Sequence, residues 1–169
     1  MRLFYALTFN PPTQTAIHAC AADLLGGRRV QPEHIHLTLA FLGKRSHEEL
    51  DALIDALTTL PSGPLELTIL SLSSFAQRST ETVWAAIEPK QPVIDLHKRL
   101  SEALAEREIF YRSSSFIPHI TLARRVPCAP LPKITPLSIT VQSIALINSY
   151  QKRGVLTHTP IATRLLGRE

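Results

Sequence analysis

His36-Leu37-Thr38-Leu39-Ala40-Phe41-Leu42-Gly43 and Pro118-His119-Ile120-Thr121-Leu122-Ala123-Arg124 decide the reading of this chain, because the pattern His-x-Thr-Leu occurs in both, 83 residues apart. Successive side chains of an extended strand point to opposite faces. In each run the histidine and the threonine therefore share one face, while Leu37 and Leu39, or Ile120 and Leu122, share the other. Set side by side, two such strands would present four hydrogen-bonding groups on an apolar scaffold. Phosphate suits that grip: threonine hydroxyls donate to its oxygens, while one imidazole gives a proton and the other takes one during in-line displacement at phosphorus. An unperturbed histidine pKa of about 6.5 serves both tasks near neutrality. Each positioned acid or base contributes roughly 10²- to 10⁴-fold, so this chemistry needs no metal. One such strand alone is ordinary. Two in matched contexts, each carrying a large side chain five positions after its histidine (Phe41 and Arg124), point to function.

The surroundings of the two motifs repeat as well. Residues 3–9 read as a strand, and Pro11-Pro12 opens a helix predicted to about residue 25, with Ala16, Ile17, Cys20, Ala21 and Leu24 as its apolar stripe and Gly26-Gly27 as its stop. The first histidine strand is predicted over 34–42. The second half runs likewise, with a strand over 82–87, a proline-led helix over 92–107 with Val93, Leu96, Leu100 and Leu104 on one face, and the second histidine strand over 115–124. Moving Leu3 and Pro12 on by 83 positions lands within the matching strand and helix, which indicates internal duplication of a strand-helix-strand unit. Between the halves, Ser46-x-x-Glu49 is a capping box ahead of a helix carrying Leu50, Leu53, Ile54 and Leu57 and ending before Pro61. A strand over 65–72 follows. Pro127, Pro130, Pro132 and Pro136 mark a surface connection, and strands over 137–147 and 154–165 complete the chain. In the first of these Leu137, Ile139 and Val141 alternate but Ile144 and Leu146 fall out of phase, which predicts a bulge. The expected architecture is α+β: a two-lobed, pseudo-symmetric duplication forming one domain over 1–169, with two antiparallel sheets facing a central cleft and helices outside.

Composition narrows the setting. A chain of 169 residues fits one domain or two small lobes sharing a core, and a hydrophobic content of 44% is enough to build one. Apolar runs such as 3–9 and 144–147 fall far short of the roughly 20 residues a membrane span needs. Met1-Arg2-Leu3-Phe4-Tyr5 lacks the apolar core and cleavage site of a signal peptide, so a soluble cytoplasmic protein without membrane contact is expected. Cys20 and Cys128 are too few for a disulfide framework and lack metal or redox spacing. Charge is uneven: residues 1–84 hold six basic and eight acidic side chains, residues 85–169 twelve and six. Arg112, Arg124, Arg125, Lys133, Lys152 and Arg153 form either an electrostatic approach for a polyanion or a solvated face.

The two motifs at this separation, together with Arg2-Leu3-Phe4-Tyr5-Ala6 and Thr82-Val83-Trp84, resemble the two-histidine phosphoesterases. Within them the likeness is to the RNA 2′,3′-cyclic phosphodiesterases, once called 2′-5′ RNA ligases, and it covers most of the chain. The resemblance implies metal-independent hydrolysis of a terminal 2′,3′-cyclic phosphate to a 2′-phosphomonoester, without a cofactor. Some members also join or cleave 2′-5′ linkages. The partners implied are RNA ends or nucleotides bearing that phosphate. By the same resemblance His36 matches the proton donor to the leaving 3′ oxygen and His119 the base that activates water, labels that a near-symmetric site can exchange. Thr38 and Thr121 match the hydroxyls that hold the nonbridging oxygens. Phe41 and Arg124 match positions that sandwich the terminal base, a role that suits an aromatic ring and a planar guanidinium. Strict alternation puts each of them opposite its histidine, so a twist or bulge has to turn them inward; otherwise Phe41 is core and Arg124 a solvated strand end. Residues 148–160 resemble the family less closely, and His158 stands where an aromatic residue is expected.

Other readings compete. His34, His36 and His47 suggest a metal site, but Glu33 points to the wrong face of a regular strand, and no metal is expected. His18, His47, His97 and His158 read as ordinary helix-surface or strand residues. Gly26-Gly27-Arg28-Arg29 reads as a helix stop more than a phosphate cradle, since it lacks P-loop spacing. A non-catalytic module that grips a nucleotide or RNA end stays open as the alternative to an enzyme. A duplication that completes the site within one chain implies a monomer with no obligate protein partner.

Overall fold

A computed structural model of the chain describes residues 1–113 and 115–167. Among them the order is β1 (Arg2–Thr8), α1 (Pro11–Ala19), β2 (Arg28–Arg29), β3 (Leu37–Lys44), α2 (Leu50–Thr58), β4 (Glu66–Gln77), β5 (Thr80–Glu88), α3 (Gln91–Glu106), β6 (Ile120–Pro127), β7 (Leu137–Thr140), β8 (Ser143–Lys152) and β9 (Val155–Leu165). The strands form two antiparallel sheets, ordered β3-β1-β8-β9 and β2-β6-β5-β4-β7. This is the expected α+β arrangement. The duplication holds to the residue in the histidine strands, since β3 and β6 are each eight residues long and begin 83 positions apart.

Each sheet draws strands from both halves of the chain. The first-half strand β1 pairs with its own histidine strand β3 on one side and with the second-half strand β8 on the other. Reciprocally, β5 pairs with its own β6 and with the first-half strand β4. β1 is buried on both faces, which explains its unbroken apolar sequence. Leu3, Tyr5 and Leu7 enter the main core, whereas Phe4 and Ala6 join Ala145 and Ile147 in a small separate cluster. The Tyr5 hydroxyl donates to the Leu53 carbonyl at 2.7 Å and ties β1 to α2; burial pushes its pKa up. In α3 the predicted stripe of Val93, Leu96, Leu100 and Leu104 is buried. The Ser46–Glu49 capping box forms ahead of α2.

Three expectations change. Helix α1 ends at Ala19, and its stripe continues as buried Ala21 and Leu24 in turns. Gly26-Gly27 is therefore not a helix stop. Both glycines have positive φ, 75° and 77°, and they deliver Arg28–Arg29 alongside β6. A Cβ on Gly27 would sit 2.8 Å from Val126 Cγ2 and 2.9 Å from the Arg124 carbonyl oxygen, so this approach needs glycine. Finally, the strand expected over 137–147 is two strands, β7 on β4 and β8 on β1. Between them Val141 N–H donates to Leu65 O at 2.9 Å and Gln142 N–H to Thr8 O at 2.8 Å. The slipped phase of Ile144 and Leu146 is a change of sheet, not a bulge. Among the described residues no helix is long and apolar enough to cross a membrane.

Candidate active site

His36 and His119 each stand one residue before their strand, not within it. A 3-10 turn at Pro32–His34 leads into the first, and Pro118 precedes the second. The same anchor holds both rings. His36 Nδ1–H donates to the His34 carbonyl at 2.6 Å, and His119 Nδ1–H to the Ile117 carbonyl at 2.7 Å. A carbonyl only accepts, so the neutral ring keeps its proton on Nδ1 and Nε2 is the atom left for chemistry. His36 Nε2 lies 3.0 Å from Thr38 Oγ1. Because β3 and β6 belong to different sheets, the paired groups meet across a cleft instead of along one ladder.

That cleft has a volume of about 630 Å³, and its lining includes His36, Thr38, Phe41, His119, Thr121 and Arg124. All six residues expected at the site are thus brought together. The alternation problem for Phe41 and Arg124 is resolved by a bulge that is itself duplicated. On β3 the register runs Ala6↔Thr38 and Tyr5↔Ala40, leaving Leu39 without a partner. On β6 it runs Trp84↔Thr121 and Val83↔Ala123, leaving Leu122 without one. The extra residue reverses the facing of the side chains that follow. Each bulged carbonyl finds another donor: Leu39 O accepts from His97 Nδ1–H at 2.8 Å, and Leu122 O from Val30 N–H at 2.8 Å. Phe41 is 52% exposed, so it is a cleft wall and not core.

Aromatic rings pack on both histidines. Phe4 lies 5.0 Å and His158 5.7 Å from His36, while Phe75 lies 5.1 Å and Trp84 5.6 Å from His119, measured between ring centroids. Phe4 also stacks on Phe41 at 6.1 Å with planes 8° apart. Burial lowers the pKa of His36 to about 4; the His34 carbonyl opposes that shift, while His158, Arg124 and His34 add to it. His158 falls to about 4 as well, through burial and then His34.

His158 is a correction to the sequence reading. It is no ordinary strand residue but part of the cleft, 4.4 Å from His34. Its place follows from the β8–β9 register, Ser149↔His158, which shifts between Leu146 and Ile147 and so eludes simple counting. His97 also departs from expectation, since it stacks on Phe116 at 4.1 Å and serves the Leu39 bulge. Phe75 carried no signal in the sequence. Arg28 and Arg29 line the cleft too, whereas of the six basic residues read as either an approach or a solvated face only Arg124 does. Among the described residues no group of three His, Cys, Asp or Glu side chains is arranged to hold a metal ion.

The family model of the 2′-5′ RNA ligase superfamily matches residues 9–153. The chain belongs to that superfamily. An RNA 2′,3′-cyclic phosphodiesterase of Thermus thermophilus is 33% identical over 168 residues, covering 90% of this chain and 83% of the relative. The Escherichia coli protein of the same name is 31% identical over 167 residues, covering 95% and 93%. The fold matches the crystal structure of E. coli LigT complexed with 3′-AMP at a TM-score of 0.82 and 30% identity, over 99% of this chain and 98% of that one.

Proposed function

We propose that this member of the superfamily hydrolyses terminal 2′,3′-cyclic phosphates on RNA ends or nucleotides to 2′-phosphomonoesters. The observation that carries the reading is the identical pair of anchored histidines, each with a threonine two residues on, opening on one cleft from two sheets. The names of the relatives and the LigT complex with 3′-AMP support the same class of substrate. In the reaction His119 Nε2 takes a proton from water, whose oxygen attacks phosphorus. The bond to the 3′ oxygen breaks opposite, and His36 Nε2–H protonates that oxygen. Thr38 and Thr121 donate to the nonbridging oxygens, stabilising the charge that grows there. Solvent then returns the two rings to their starting states. When a 5′-hydroxyl takes the place of water, the same step forms a 2′-5′ linkage, and in its reverse the two rings exchange roles. Phe41 and Arg124 flank the terminal base, one from each sheet. One chain supplies every group, so the working unit is a monomer.

The test is incubation with a nucleoside 2′,3′-cyclic phosphate in excess EDTA. The expected product is the 2′-monophosphate, formed by the unmodified protein and lost by roughly 10²- to 10⁴-fold in His36→Ala or His119→Ala. Full turnover in either variant, or binding without turnover in the unmodified protein, refutes the reading; the second result would mark a binding module.

A further inference from the structure

Gly26-Gly27-Arg28-Arg29 has no part in the reaction just described, yet the fold builds its two arginines into the cleft wall. On β2 Arg28 stands directly opposite Arg124, and Arg29 opposite Ala123. Arg29 is tied down by its own guanidinium, which donates to the Ala22 carbonyl at 2.8 Å and the Leu24 carbonyl at 3.4 Å. Among the described residues Arg28 has no such tie. Among the described residues neither Arg28 nor Arg124 pairs with a carboxylate. Like charges facing each other on a ladder repel. Two left-handed glycines and a close backbone approach thus hold two unneutralised guanidinium groups together at the cleft, an arrangement that an anion relieves.

The reacting phosphate is not that anion. Thr121 precedes Arg124 by three residues, one of them the bulged Leu122, which places the arginine pair two strand steps, about 7 Å, along β6 from the threonine. That separation suits the next phosphate of an extended nucleotide strand. We propose that Arg28 donates to the phosphodiester on the 5′ side of the terminal nucleotide while the neighbouring Arg124 plane stacks on the base. The cleft thereby selects oligonucleotide ends over lone cyclic nucleotides. This inference rests on the reading of the cleft given above.

Three probes decide it: adenosine 2′-phosphate, its 5′-phosphorylated form, and the dinucleotide ApA carrying a terminal 2′-phosphate. Each is titrated into the unmodified chain and into Arg28→Gln, Arg28→Lys and Gly27→Ala. The dinucleotide is expected to bind the unmodified chain about tenfold tighter than adenosine 2′-phosphate. Arg28→Gln brings that ratio close to one and flattens the slope of log affinity against log salt by about 0.7. Arg28→Lys keeps most of the ratio. Gly27→Ala, whose Cβ drives β2 off β6, lowers it with Arg28 intact. Equal binding of the dinucleotide and adenosine 2′-phosphate, or a ratio indifferent to Arg28→Gln, overturns the proposal. So does a 5′-phosphorylated mononucleotide that gains as much as the dinucleotide, because the subsite would then serve any 5′-phosphate. Turnover of the corresponding cyclic phosphates is read separately: activity without the ratio removes only the subsite, and the ratio without activity removes only the proposed reaction.

Discussion

Assigning His36 as the proton donor makes a quantitative demand. With its pKa near 4 in the free protein, His36 is neutral at pH 6.5 in all but roughly 0.3% of molecules. A donor must hold its proton when substrate is bound, so binding has to raise that pKa by about 2.5 units, or about 3.4 kcal/mol at 1.36 kcal/mol per unit. A phosphate monoanion about 4 Å from the ring supplies about 4 kcal/mol at an effective dielectric constant of 20, which is enough. Binding at pH 6.5 should therefore draw about half a proton or more from solution. The assay is calorimetric titration of adenosine 2′,3′-cyclic phosphate into His119→Gln, which binds without turning over, in buffers of different ionisation enthalpy. A cyclic diester does not itself titrate near this pH. The uptake should disappear when His36→Gln is added. Tight binding with no uptake would refute the assignment, leave His36 as the base and move the donor role to His119.

Stability should follow the same group with a definite sign. Because the folded pKa of His36 lies below its unfolded value, its contribution is fully present above about pH 6.5 and is lost as pH falls towards 4. Between pH 7.5 and 5 the loss from His36 is about 2 kcal/mol, read as the part of the fall in the urea midpoint that His36→Gln removes, while His158 keeps its own share. Thr121→Ala should lower kcat about 10- to 100-fold while leaving the fold intact, measured by single-turnover hydrolysis beside circular dichroism. His97→Leu strands the Leu39 carbonyl and lets the bulge relax; the expected result is about 1–3 kcal/mol of lost stability and a KM raised more than kcat falls.

Local pattern carried much of this molecule into view. His36, Thr38, His119 and Thr121 were legible because period-two alternation assigns a face to each without reference to the rest of the fold. The stripe of α3 and the Ser46–Glu49 box were legible for the same reason, since each is complete within one or a few turns. What stayed hidden depends on pairing between distant segments. The facing of Phe41 and Arg124 is set by bulges that exist only relative to β1 and β5. His158 reaches the cleft through a shifted register between β8 and β9. Gly27 reads as a helix stop until Val126 and the Arg124 carbonyl are seen against it.

The sharing of strands between halves constrains how this molecule can move and be divided. A chain ending after β4 would keep the β1–β3 ladder but hold β4 with neither of its neighbours, β5 and β7. The complementary piece would keep β5–β6 and β8–β9, each a two-stranded fragment of marginal stability. A nick in the β4–β5 turn should therefore yield two fragments that recover structure only when mixed. In the intact protein the same stitching keeps the two halves of the chain from parting as separate bodies. The cleft between the two sheets is backed by one apolar core to which both contribute.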